Sequence, residues 1–193
     1  MTNQFKHKKN ISACVDNSTL AVSKSKNNGN IDTSKSHDEW ETPDSLFNKL
    51  NNEFEFNYDL ACNSGNCKCI DGSKTDIGKN GLDFNPDEYR QKKVNKKIQS
   101  KGYLTIWCNP PYNRIDKPKF IKKCFDLSQH PRVDTVVMLI PSKTSTGDFH
   151  DIILPNAEIR WLRGRPKFKG INNQGKYVTQ NSGRNDCMIV IFR

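Results

Sequence analysis

The chain has 193 residues, of which 34% are hydrophobic and 27% charged, enough for one domain of ordinary size with part of the chain left outside its core. No apolar run reaches the roughly 18 residues that a membrane span needs, and the opening MTNQFKHKKN lacks the apolar stretch of a secretory signal, so a cytoplasmic protein with no membrane partner is expected. The formal charge of +10 favours a polyanionic partner, because neutralising phosphates releases counterions.

Residues 1–36 are rich in Asn, Ser, Lys and Thr and show no sustained apolar period, which predicts a flexible basic arm ahead of an ordered domain at 37–193. Thr42-Pro43-Asp44 reads as a helix start, with Thr42 as N-cap, Pro43 at the first helical position, and Leu46, Phe47 and Leu50 on one face. The alternation of Phe54, Phe56 and Tyr58 predicts a strand over 54–60, running into the turn-rich Asp59-Leu60-Ala61-Cys62-Asn63-Ser64-Gly65-Asn66. Residues 67–90 read as irregular, punctuated by Gly72, Gly78, Gly81 and Pro86, and the basic stretch 90–101 as a surface helix or loop. Seven cysteines, an odd number at uneven spacing, predict no disulfide framework. Cys62, Cys67 and Cys69 cluster, but the next thiols, Cys108 and Cys124, lie too far along the chain to suggest a zinc site, so no metal is expected.

A strand is expected at 104–108, and then a helix over 118–128 that buries Phe120, Ile121, Cys124, Phe125 and Leu127. The continuous apolar run 135–140 has the character of a strand buried on both faces and ends at Pro141. Two more strands are expected at 158–162 and 187–192. Ile159, Trp161 and Phe168 read as core, with Arg160, Arg163, Arg165, Lys167 and Lys169 facing water or a nucleic-acid track. Strands alternating with helical segments predict an α/β sandwich around a mostly parallel sheet.

The chemistry is carried by Asn109-Pro110-Pro111-Tyr112, directly after the strand at 104–108. Ligands of open α/β sheets bind beyond the carboxyl ends of strands, so this loop stands where a site belongs. Two prolines stiffen the backbone and remove two amide donors, leaving carbonyl oxygens, an Asn side chain and an aromatic face. An aromatic amine such as adenine N6 is a poor nucleophile, because its lone pair is delocalised into the ring. Two acceptors placed out of the ring plane, the Asn109 side-chain oxygen and the Pro110 carbonyl, would draw that nitrogen towards tetrahedral geometry, while Tyr112 stacks on the base. The earlier turn at 59–66 supplies Ala61, Ser64 and Gly65, small residues that let a backbone approach a cofactor, and Asn63, which tolerates positive φ.

These residues resemble the phage-type, Dam-like DNA N6-adenine methyltransferases. Asp38-Glu39-Trp40-Glu41-Thr42-Pro43 is similar to the family's opening DEWxTP element, and Asp59-Leu60-Ala61-Cys62 to its first cofactor motif. Asn66 to Cys69 with Thr75, Asn80-Gly81-Leu82, Trp107 to Tyr112, Pro141 to Thr144 with Phe149-His150-Asp151, and Gly164 to Phe168 resemble its following segments, so the resemblance covers about 37–193. Asn63 stands where many amino-methyltransferases have Gly, Asn80 replaces an acid, and Lys143 a usual Arg.

The resemblance implies a Rossmann-like methyltransferase fold and S-adenosylmethionine as cofactor. Trp40, Thr42 and Pro43 would line its methionine end, Asp59, Ala61 and Cys62 would lie near its amino-acid moiety, and Asp76 or Asn80 would contact the ribose or adenine. Double-stranded DNA is the implied partner, with the target base flipped out and the strand held by Lys143, Thr144, Thr146, His150, Arg163, Arg165 and Lys167. No obligate protein partner is inferred. Two other readings use the same residues: methylation of RNA or of a protein glutamine by the same loop, and a non-catalytic DNA-binding protein with a degenerate methyltransferase fold.

Overall fold

The computed structural model describes residues 40–62, 66–69, 71–72, 80–89, 103–171, 176–183 and 185–193. The arm at 1–36, the turn residues Asn63 to Gly65, Asp76 and the basic stretch 90–101 lie outside them, as does the side chain of Asn80.

Helix α1 (Asp44–Phe54) buries Phe47, Leu50 and Phe54, a spacing that puts all three on one helical face. It starts one residue later than the sequence suggests. The Pro43 carbonyl accepts the amides of Leu46 and Phe47 at 3.1 and 3.0 Å, so Pro43 occupies the capping position, and no side-chain cap forms. The helix also takes up the first residue of the strand expected at 54–60. Glu55 turns left-handed (φ 53°, ψ 57°) and donates its amide back to Asn51, and only Tyr58–Asp59 remain extended, as β1. The alternating aromatics therefore mark a helix end and a turn: Phe54 and Phe56 stack at 5.7 Å and Phe56 leans on Trp107 at 5.5 Å.

After β1 come β2 (Asp71–Gly72) and the short helix α2 (Asn80–Asp83), both inside the stretch read as irregular. Strand β3 (Leu104–Cys108) falls where expected. Helix α3 (Asp116–Ser128) begins two residues early, because the Asn113 side-chain oxygen accepts the amides of Ile115 at 2.9 Å and Asp116 at 2.7 Å and so satisfies the exposed donors of its first turn. Strand β4 (Val133–Pro141) is followed by a π-helical turn (Phe149–Ile153) running into α4 (Leu154–Asn156). Then come β5 (Glu158–Trp161), a hairpin of β6 (Lys167–Ile171) and β7 (Tyr177–Ser182) that the sequence reading missed, and β8 (Cys187–Phe192).

The main sheet has six strands in the order β2-β1-β3-β4-β8-β5, and β6 and β7 form a separate two-stranded sheet. The pairs β1–β2, β1–β3 and β3–β4 are parallel. Strand β8 runs antiparallel to both β4 and β5, so the sheet is mixed, parallel up to β4, with one reversed strand next to its edge.

Alternation along the central strands divides the core. Ile106, Cys108, Val136, Met138, Ile140, Met188 and Val190 join Phe120, Ile121 and Cys124 of α3 on one face. Trp107, Val137, Leu139, Cys187, Ile189 and Ile191 meet Phe47, Leu50 and Phe54 of α1 on the other. Trp161 departs from its expected place in the core and is 61% exposed, because it ends the edge strand β5 and no element among the described residues covers its outer side.

Gly81 fixes α2 against the end of β1. A Cβ built there would overlap the Leu60 carbonyl oxygen and crowd the Phe120 ring at 3.1 Å, and backbone cannot yield as a side chain does. Gly81→Ala is expected to cost on the order of 3 kcal/mol, read as a lower urea midpoint at unchanged slope. Unaltered stability would mean that α2 shifts freely off β1.

Candidate active site

The chain leaves β1 towards β2 on one side and returns to β3 on the other. The carboxyl ends of β1 and β3 therefore flank the reversal of strand order, where open α/β sheets hold ligands. Asp59 pairs in register with Trp107, so Asp59 and Asn109, two residues further on, stand on neighbouring strand ends.

Asp59 is 2% exposed. Its carboxylate accepts the Ala61 amide at 3.3 Å on one oxygen and the Lys68 amide at 2.9 Å on the other. Burial outweighs these bonds and pushes its pKa up to about 6, as expected when a charge loses water without a strong counter-ion. The result is a buried anionic point, close to half-neutralised in mild acid, at the bottom of the turn. Cys62 is joined to Cys67 in a disulfide with a Cα separation of 4.8 Å. The expectation of no framework of bridges thus gives way, among the described residues, to one local link, which spacing alone could not reveal.

At the second strand end, the Asn109 side-chain nitrogen donates to the Trp40 carbonyl at 3.1 Å, and its oxygen accepts the Tyr112 hydroxyl at 2.8 Å. That hydroxyl also lies 3.1 Å from the Leu139 carbonyl of β4. These partners fix which way the carboxamide points. Its oxygen keeps a second acceptor position, since a carbonyl oxygen has two. Pro110 and Pro111 are buried and Tyr112 is half-buried, its ring edge-on to Phe168 of β6 at 6.2 Å. Burial holds the Tyr112 phenol well above its ordinary pKa, so it remains a donor.

Trp40 packs with the face of the core that holds Trp107, Thr42 is buried, and Pro43 opens α1. The neighbouring Glu41 exchanges both backbone hydrogen bonds with Lys169 of β6, at 2.8 and 3.1 Å. Asp44 pairs with Lys169 and, at 2.7 Å, with Lys68, and these two bonds, the one from Lys169 first, hold its carboxyl below the usual range. Trp40, Thr42, Pro43, Asp59, Ala61 and Cys62 are thus gathered with Asn109 to Tyr112 at one edge. Asp76 and the Asn80 side chain lie outside the described residues.

The remaining candidates follow other strands at the same edge. Lys143, Thr144, Thr146 and His150 follow β4, and Arg163 and Arg165 follow β5. Lys143, Thr144, His150, Arg163, Arg165 and Lys167 are exposed. Thr146 is half-buried and donates to the Lys143 carbonyl at 3.1 Å. Arg165 pairs with Asp186 at 3.0 Å. The segment after β4 is latched by an ion pair missed in the sequence, Lys117–Asp148 at 2.7 Å, with both side chains only 10–11% exposed. Its partners are 31 residues apart, and no local pattern announces it. The hairpin had a legible signal: Asn172-Asn173-Gln174-Gly175 is turn chemistry, with the strand-favouring Phe168 and Ile171 before it and Tyr177, Val178 and Thr179 after it. A cleft of about 390 Å³ beside Glu53, Tyr103, Asp134 and Arg193 opens at the opposite edge, away from all of these groups.

A family model described as DNA N-6-adenine-methyltransferase (Dam) matches residues 30–193. No curated protein matches the chain.

Proposed function

The chain belongs to the DNA N-6-adenine-methyltransferase (Dam) family, and from that premise we propose that it moves a methyl group from S-adenosylmethionine to the exocyclic amine of an adenine flipped out of duplex DNA, at the corner Asn109 to Tyr112. The observation that carries this reading is the Asn109 carboxamide. It is held between the Trp40 carbonyl and the Tyr112 hydroxyl, on the strand end next to the one that bears the buried Asp59.

The donor set suits the cofactor. A carboxylate whose burial raises its pKa gains from a cationic partner, and S-adenosylmethionine carries an ammonium. Asp59, Ala61 and Cys62 would hold the amino-acid end, and Trp40, Thr42 and Pro43 the methionine chain, with Asp76 or Asn80 towards the nucleoside. Bound there, the cofactor supplies an electrophilic methyl group on a sulfonium. A Rossmann-like methyltransferase fold is supported by the parallel run from β2 to β4 and by the position of both strand ends at the reversal of strand order.

The chain's own residues then act on the amine. The Asn109 oxygen accepts one N–H through its second acceptor position, and the Pro110 carbonyl accepts the other. Donation to two acceptors out of the ring plane localises the lone pair on nitrogen, an electrostatic and positional gain. No base is needed beforehand, because the amine proton becomes acidic once nitrogen is alkylated. Flipping the base costs a few kcal/mol, offset by stacking on Tyr112 and by the exposed cations Lys143, Arg163, Arg165 and Lys167, with the exposed His150 beside them, along the displaced strand.

The hydroxyl of Tyr112 has a part beside that of the ring. Stacking needs only the ring, yet the hydroxyl also orients Asn109. Tyr112→Phe is expected to lower kcat about tenfold, the worth of one hydrogen bond, with KM for the cofactor unchanged. Tyr112→Ala falls further, because it also loses stacking. A Phe variant with full activity would remove the hydroxyl from the mechanism.

Radiolabelled cofactor with duplex DNA, RNA and protein tests the whole reading. Label on adenine N6 of DNA is expected, and label only on RNA or protein would overturn it. Digestion of plasmid from an expressing strain with methylation-sensitive nucleases would then identify the site.

A further inference from the structure

The disulfide Cys62–Cys67 follows β1, and the sulfurs of both cysteines lie within 4.8 Å of an Asp59 carboxylate oxygen. Cys62 lies three residues after Asp59, its sulfur 3.7 Å from the Asp59 carbonyl oxygen. Cys67 immediately precedes Lys68, whose amide occupies one carboxylate oxygen of Asp59 at 2.9 Å, while the Ala61 amide occupies the other. The side chain of Lys68 is held from the far side by Asp44 at 2.7 Å and Glu41 at 3.9 Å. In the disulfide form the Cys67–Lys68 segment is therefore fastened over Asp59, which is 2% exposed.

We propose that Cys62 and Cys67 are a reversible thiol–disulfide pair that controls access of the cofactor to Asp59: closed when oxidised, open when reduced. The proposal rests on the placement of the cofactor given above. An enzyme acting on DNA works in a reducing compartment, where disulfides are chiefly transient or redox-sensing. The Cα separation of 4.8 Å lies within the range that a bridge requires. Reduction also has a partner waiting, because a Cys62 thiol can donate to the Asp59 carbonyl oxygen that its sulfur already faces.

The oxidant is a low-molecular-weight disulfide such as oxidised glutathione. Half-buried Cys67 attacks as the thiolate, forms a mixed disulfide and releases one small thiolate. The Cys62 thiolate then attacks the Cys67 sulfur, which forms the internal bond and expels the second small thiolate. Two protein thiols are oxidised, one external disulfide is reduced to two thiols, and the two protons pass to the released thiolates.

The test uses the full chain, equilibrated with excess oxidised glutathione or with dithiothreitol. Thiols are counted under denaturing conditions, linkage is mapped by peptide mass spectrometry, and S-adenosylmethionine binding is measured by calorimetry. Of the seven cysteines, five thiols are expected to remain after oxidation, with Cys62 linked to Cys67. The oxidised form is expected to bind the cofactor at least tenfold more weakly than the reduced form, and Cys67→Ser to bind like the reduced form after either treatment. Equal affinity of the two forms, or linkage through Cys69 instead, overturns the switch and leaves the cofactor site standing. Absence of binding in both forms overturns the cofactor placement, and the switch with it.

Discussion

Replacing Asn109 with alanine is expected to lower the methylation rate by roughly 10²–10³, the range seen when one preorganised polar group is removed from a reacting centre, while S-adenosylmethionine binds as before. The asymmetry follows from position. Asn109 stands on the end of β3, Asp59 on the end of β1, and only the first faces the amine in the mechanism proposed above. Truncation leaves the Trp40 carbonyl without its donor, but Tyr112 keeps the Leu139 carbonyl as a partner at 3.1 Å, so the corner should survive. Asn109→Asp separates the two tasks of the side chain. It retains an acceptor for the amine, loses the donor to Trp40, and should fall between alanine and the parent. Single-turnover rates together with calorimetry would check this. Parallel losses of rate and cofactor affinity in the alanine variant would place Asn109 in cofactor binding or in folding, and not in activation of the amine.

The second large effect concerns pH. Burial raises the Asp59 pKa to about 6, against about 3.9 for an unperturbed Asp. Between these values the folded protein holds a proton that the unfolded chain has released. This contribution to stability is present at low pH and is lost as pH rises through about 6. The cofactor responds with the opposite sign. A cationic ammonium favours the ionised carboxylate, so affinity should be level above pH 7 and fall about tenfold by pH 5. Asp59→Asn keeps the acceptor for one backbone amide, should bind more weakly at pH 8, and should lose the pH dependence. A parent protein with constant affinity from pH 8 to pH 5 would show that Asp59 meets no cation.

The parts that were legible in the sequence are those where a single physical pattern acts alone. Strands β3 and β8 were bounded to the residue, because continuous apolar runs at the centre of a sheet admit little else. The corner at Asn109 was legible because two prolines directly after such a strand leave it only a sheet-edge position. Errors arose where two patterns compete. Phe54 belongs equally to an alternating strand and to the 47–50–54 helical face, and the helix prevails because its face packs on Trp107 and Ile189. Trp161 was assigned to the core on hydrophobicity, but an edge strand need cover only one side. Contacts between distant segments were out of reach: Lys117 with Asp148, Glu41 with Lys169, and Tyr112 with Leu139 are each set by how the layers assemble.

The backbone exchange between Glu41 and Lys169 also bears on where the chain can be trimmed. A fragment that begins at Asp44 keeps every residue of α1 and of the main sheet. It loses the Glu41 bridge to Lys169 of β6, and with it the Trp40 carbonyl that steadies Asn109. Progressive deletion from the amino terminus should therefore silence the protein before it melts it, with the boundary between an active and a merely folded fragment falling in the few residues around Trp40.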